Sequence, residues 1–94
     1  MSSITQDPTT DVITDDYIGQ LLENSLVVYN DDHNTFEWVI ECFMRILDHK
    51  AVQAEQCAYI IHTKGKCNVK SGSMDELKPL KDGLIDKGLS AVIE

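Results

Sequence analysis

The sequence predicts a small α+β fold: a three-stranded antiparallel sheet with three helices on one face, in the order β-α-α-β-α-β. Three observations carry that expectation. Short runs rich in β-branched residues sit near the start, the middle and the end of the core. Between them lie three stretches with apolar residues at helical spacing. Two of these stretches separate the first two strands, which suits a single layer of helices on one sheet.

Ninety-four residues make one domain, and the hydrophobic share of 43% is enough for a compact core. The first 24 residues read differently from the rest. Asp7, Asp11, Asp15, Asp16 and Glu23 occur there with no Lys or Arg, which predicts a flexible acidic extension over 1–24 ahead of a core at 25–94.

In the core, Leu26–Tyr29 is the first strand. Helix one follows, with Asn34 as N-cap and Glu37 placed to complete a capping box. Phe36, Val39, Ile40, Phe43, Met44 and Leu47 form its apolar stripe, and Trp38, Glu41 and Arg45 lie away from the stripe's centre. Asp48-His49-Lys50 is a tight connection. Helix two places Ala54, Cys57, Ala58 and Ile61 on one face and ends at Lys64-Gly65-Lys66, where Gly65 can take the left-handed conformation. Cys67–Lys70 is the second strand and Ser71-Gly72-Ser73 a turn. Pro79 is acceptable only in a first turn, so the third helix is expected to become regular near Lys78. Gly88 stops it, and Leu89–Ile93 is the last strand.

The net charge of −8, from 16 acidic and 8 basic residues, argues against a nucleic-acid partner. No apolar run approaches a membrane span, and no signal sequence is evident, so a cytoplasmic protein is expected. Cys42, Cys57 and Cys67 match no zinc or redox spacing and read as free thiols.

The chemistry concentrates where the first strand ends. Asn30, Asp31 and Asp32 put an amide and two carboxylates at a strand–helix junction. His62, near the end of helix two, could approach them if the two helices pack together. Phe36, Val39, Ala58 and Ile61 would surround that polar point. Acceptors beside an apolar pocket suit a ligand carrying an ammonium and a hydrophobic side chain, because a buried ammonium needs acceptors for its three donors. Two other readings stay open on spacing alone. Asn-Asp-Asp before a helix is also common turn and cap chemistry. Asp31, Asp32, His33 and His62 could hold a metal, though without a recognised ligand spacing. No nucleophile–base pattern and no phosphate loop point to an enzyme.

Over about residues 26–94 the chain resembles the ClpS family, adaptors that deliver N-degron substrates to a Clp AAA+ protease. The resemblance rests on Val28-Tyr29-Asn30-Asp31-Asp32 with Thr35-Phe36-Glu37-Trp38-Val39, on Ile61-His62-Thr63-Lys64-Gly65-Lys66, and on the closing Leu89–Glu94. It implies that Asn30, Asp31, Asp32 and His62 bind a free α-amino group. It also implies that Asn34, Phe36, Val39, Ala58, Ile61 and Leu89 line a pocket for a first-residue Leu, Phe, Tyr or Trp. The implied partners are N-degron peptides and proteins and the N-terminal domain of a ClpA- or ClpC-type unfoldase, contacted through Glu76 and Lys78. The adaptor would be a monomer and would need no cofactor. Four matching positions differ from the usual family pattern. Asn34-Thr35 stands where a Thr-Pro pair is usual, and Phe36 and Ala58 replace a Met and a large apolar residue, which would reshape the pocket. The alternative is a purely structural interaction domain of the same fold, like the C-terminal domain of the ribosomal stalk protein.

Overall fold

A computed structural model of the chain describes residues 23–94, so the extension expected over 1–24 falls almost wholly outside the described residues. The elements are β1 (Asn24–Tyr29), α1 (Phe36–Ile46), α2 (Ala51–Lys64), β2 (Lys66–Gly72), α3 (Met74–Asp86) and β3 (Ser90–Ile93). The predicted order and class hold. β1 is the central strand of an antiparallel sheet ordered β2-β1-β3.

Side chains of a strand alternate between faces. Leu26 and Val28 of β1 are fully buried and join Phe43, Ile61, Leu77 and Leu84 of the three helices in one core. Ala91 of β3 pairs with Val28 and enters the same core. Val92 pairs with Val27 on the other face of the sheet, where Val92 stays 40% exposed and Val27 is buried. Among the described residues no helix is long and apolar enough to cross a membrane.

Three boundaries differ from expectation, each for a local reason. β1 starts at Asn24, not Leu26, and carries β2 with it. Asn24 pairs with Gly72 and Ser25 with Ser71, so two of the three residues expected in a turn are strand. The register shifts between Leu26 and Val27, leaving Val69 as the extra residue of a β-bulge with its side chain buried.

The N-cap of α1 is Thr35 rather than Asn34. The Thr35 hydroxyl accepts from the Trp38 N–H at 3.1 Å, while the Asn34 amide is engaged elsewhere. The buried face of α1 is centred on Val39, Cys42, Phe43 and Ile46. Phe36 and Met44, expected in the stripe, lie at its edge and are each 41% exposed. Trp38 packs against the core from the side, and its indole N–H donates to the Lys87 carbonyl at 3.1 Å.

α3 begins at Met74, four residues before the expected start. A full capping box at Ser73 and Glu76 starts it: the Glu76 N–H donates to Ser73 Oγ at 3.2 Å and the Ser73 N–H donates to Glu76 Oε1 at 3.0 Å. Pro79 therefore sits in the second turn, where it forfeits one intrahelical bond, the one to the Asp75 carbonyl. Gly72 makes room for this cap, since a Cβ there would stand 2.6 Å from Glu76 Oε1.

α2 follows the sequence reading closely. Ala54, Ala58 and Ile61 are buried, and the small residues let α2 approach α1. Gly65 ends the helix at φ 95°, and its N–H donates to the Ile61 carbonyl at 2.9 Å.

Candidate functional site

The end of β1 and the end of α2 are pinned together by the main chain. The Asn30 N–H donates to the Gly65 carbonyl at 2.9 Å. Gly65 can offer that carbonyl because its left-handed backbone turns the chain sharply at the helix end. His62, three residues before Gly65, is thereby held beside Asn30. Between the β1–α1 junction and the inner face of α2 lies a cavity of about 360 Å³. It is lined by Asn30, Asp31, Asp32, Asn34, Phe36, Val39, Ala58, Ile61 and His62.

Those nine are the residues singled out in the sequence for an ammonium site and its pocket, with one exception. Leu89 is buried in the hydrophobic core and does not line the cavity. It lies between the end of α3 and β3, and its N–H donates to the Leu84 carbonyl at 3.0 Å, which draws it under α3.

Asp31 organises the junction. Its Oδ1 accepts from the His33 N–H at 2.9 Å and the Asn34 N–H at 3.0 Å. The Asn34 side-chain amide donates to Asp31 Oδ1 at 3.0 Å and Oδ2 at 2.9 Å, and also to the Gly88 carbonyl at 2.9 Å. Because all three partners are acceptors, they fix which end of the Asn34 amide is nitrogen. The Ser90 hydroxyl reaches Asp31 Oδ2 at 3.5 Å. Partial burial on its own would push the Asp31 carboxyl up. The bonds from the His33 N–H, the Asn34 side chain and the Asn34 N–H outweigh it, and the carboxyl is held below its ordinary value. Asp31 is thus a fixed negative charge at neutral pH.

Gly88 and Ser90 are the parts of this arrangement that sequence reasoning missed. They reach the junction only because β3 pairs with β1, with Ser90 opposite Tyr29. Nothing local to Gly88 or Ser90 signals that pairing.

The remaining polar groups are differently placed. No described residue hydrogen-bonds the side chains of Asn30, Asp32 or His62, and all three are exposed at the mouth of the cavity. Ala58 and Ile61 form a buried apolar wall, with Val39 beside them and the half-exposed Phe36 at the rim. The cavity therefore offers an amide, an imidazole and negative charge at one end and hydrocarbon at the other. That arrangement can take a cation with several N–H donors attached to an apolar group.

The other candidates separate from this site. Glu76 and Lys78 lie on α3, where Glu76 serves the capping box and Lys78 pairs with Asp82 at 3.1 Å. Among the described residues no cluster of three His, Cys, Asp or Glu assembles for a metal. The three cysteines are free thiols. Burial pushes Cys57 up to about 12, with the neighbouring Cys67 adding to it, so this thiol is protonated at neutral pH.

Comparison with known proteins gives a family match and matches among solved structures. The family described as ATP-dependent Clp protease adaptor protein ClpS matches residues 23–91. Among solved structures, the chain is similar to ClpS2 of Agrobacterium tumefaciens bound to L-phenylalaninamide. The TM-score is 0.66 and the identity 18%, over 77% of this chain and 94% of that one. At that identity the likeness concerns the fold. No curated protein sequence matches the chain.

Proposed function

The chain belongs to the ClpS family, a family of non-catalytic protease adaptors, and from that premise we propose that it binds the free α-amino group and bulky hydrophobic first residue of N-degron substrates and delivers them to a Clp AAA+ unfoldase. One observation carries this reading: acceptors that no described residue engages share a single cavity with an apolar wall. The α-ammonium has three donors. The Asn30 amide oxygen and a neutral His62 nitrogen accept two of them, and the third is met at the carboxylates or through water.

The carboxylates divide the work. Asp31 has its oxygens largely taken up by the junction, so it contributes negative potential and fixes the loop. Asp32 adds charge at the mouth. Each charge-assisted bond contributes roughly 1.5–3 kcal/mol. Burial of a Leu or Phe side chain against Val39, Ala58 and Ile61 adds about 1.5–3 kcal/mol. After ordering costs, micromolar affinity is expected, or about −8 kcal/mol. The ligand named with the Agrobacterium structure supports the same chemistry, since phenylalaninamide joins a free α-amino group to a benzyl side chain.

Leu, Phe, Tyr and Trp are the first residues this site would accept. A cytoplasmic monomer that docks on the N-terminal domain of a ClpA- or ClpC-type unfoldase through the α3 surface around Glu76 and Lys78 completes the proposal.

The test is a set of peptides that differ only at their N-terminus. Free Leu- and Phe-initiated peptides should bind, Ala- and Glu-initiated ones should not, and N-acetylation should abolish binding. Equal affinity for the free and acetylated forms would overturn the reading.

A further inference from the structure

Beside the cavity, α2 turns a second apolar surface to solvent. Tyr59 is 62% exposed and Ile60 40%, and with Phe36 they form an open groove of about 600 Å³ rimmed by Glu55 and Gln56. Contiguous apolar surface of this kind marks interaction sites. Two features join the groove to the cavity. Phe36 lines both. On α2, Glu55, Tyr59 and His62 follow at intervals of four and three residues, which puts them on one helix face. The groove is continuous with the proposed ammonium site rather than a separate patch elsewhere on the molecule.

The geometry points to a second subsite: the Phe36–Tyr59–Ile60 groove receives the side chain of the substrate's second residue and favours a large apolar one. This inference rests on the N-degron reading. A peptide anchored by its ammonium near Asn30 and His62, with its first side chain against Ala58 and Ile61, can continue only outward over the rim. Its second Cα lies 3.8 Å from the first, and in an extended chain the second side chain points away from the first. Phe36 is a wall of both spaces, so it is the surface that the emerging side chain meets. Among the described residues no lysine or arginine lines the groove, and Glu55 stands at its edge, so the chemistry fits an apolar side chain and repels an acidic one.

The experiment compares two free-amine peptides, Leu-Ala and Leu-Trp at positions one and two with identical sequence thereafter, by fluorescence anisotropy. Leu-Trp should bind about fivefold more tightly, the effect of partly burying one aromatic side chain. The double variant Tyr59→Ser with Ile60→Ser should erase that gain and leave the affinity for Leu-Ala unchanged, which also reports that the variant is folded. Equal affinities in the natural protein, or a gain that survives in the variant, would overturn the subsite while the adaptor reading stands. If the groove instead joins two copies of the chain, the variant will change the oligomeric state and not the peptide ranking, which also overturns it. If neither peptide binds better than its acetylated form, the adaptor reading falls and the subsite with it.

Discussion

The connection into α1 and the connection into α2 each contain the dipeptide Asp-His, as Asp32-His33 and as Asp48-His49. In the first, both side chains are exposed and the neighbouring Asp31 gathers the loop's N–H groups, so polar acceptors are left facing a cavity. In the second, Asp48 takes the left-handed backbone at φ 59° and His49 turns inward, leaving it only 7% exposed. His49 Nε2 bonds the Val69 carbonyl at 2.9 Å, its ring packs on Phe43, and no described residue partners the buried Nδ1. The Nε2 bond is to a carbonyl, so the ring is the Nε2–H tautomer. The same two residues lie exposed at the surface in one place and help to build the core in the other. What differs is the surroundings. The bulge in β2 presents a buried carbonyl that needs a donor, and His49 supplies it. His33 has no such demand to meet.

The largest expected effect tests the architectural side. His49→Ala removes a packed ring and leaves the Val69 carbonyl unmet. It should destabilise the fold by about 2–4 kcal/mol. Urea unfolding measures this, and the affinity for a Leu-initiated peptide should be unchanged at temperatures where the variant is folded. A comparable loss of affinity would break the contrast between the two connections.

A smaller effect tests the junction. Asp31→Ala should cost about 1–2 kcal/mol of stability, as expected for a side chain that caps several N–H groups. It should also weaken peptide binding about tenfold through the lost charge and loop order. Asp32→Ala, with no described bond to lose, should stay within about 0.5 kcal/mol of the natural stability. If the two aspartates prove equivalent in unfolding, the division between builder and acceptor is wrong.

The smallest effect is on pH. Burial lowers the His49 pKa below its ordinary value, with Lys70 adding to the shift and the bond to Val69 opposing it. Above the ordinary imidazole value, near 6.5, His49 is neutral in both folded and unfolded chains and contributes no pH dependence. As pH falls below that, the unfolded chain takes up a proton that the folded one resists, and stability declines until the folded value is passed. The decline between pH 7 and 5 should be shallower in His49→Gln than in the natural protein. Parallel curves would mean that His49 titrates normally in the fold.

Local signals in the sequence account for most of the fold and the cavity. The order of elements, the α2 face of Ala54, Ala58 and Ile61, and the Gly65 stop all depend on neighbours a few residues apart. So does the strand–helix junction at 30–36. What escaped depends on competition or on distance. Asn34 and Thr35 are both good caps, and only the demand of Asp31 and Gly88 for the Asn34 amide decides for Thr35. Ser73 and Glu76 have capping-box spacing, a signal overshadowed by Pro79. The burial of His49 and Leu89, and the reach of Ser90 to Asp31, follow from strand pairing and core packing across 20 or more residues.

The bond between the Asn30 N–H and the Gly65 carbonyl is made entirely of main-chain atoms. At position 65 any residue but glycine would strain the φ of 95° that presents the carbonyl. At position 30 only proline would remove the donor. The spatial relation between the strand end and the helix end therefore rests on the backbone of two positions and not on the side chains that line the cavity. A cavity clasped in this way keeps its frame while the side chains that line it vary.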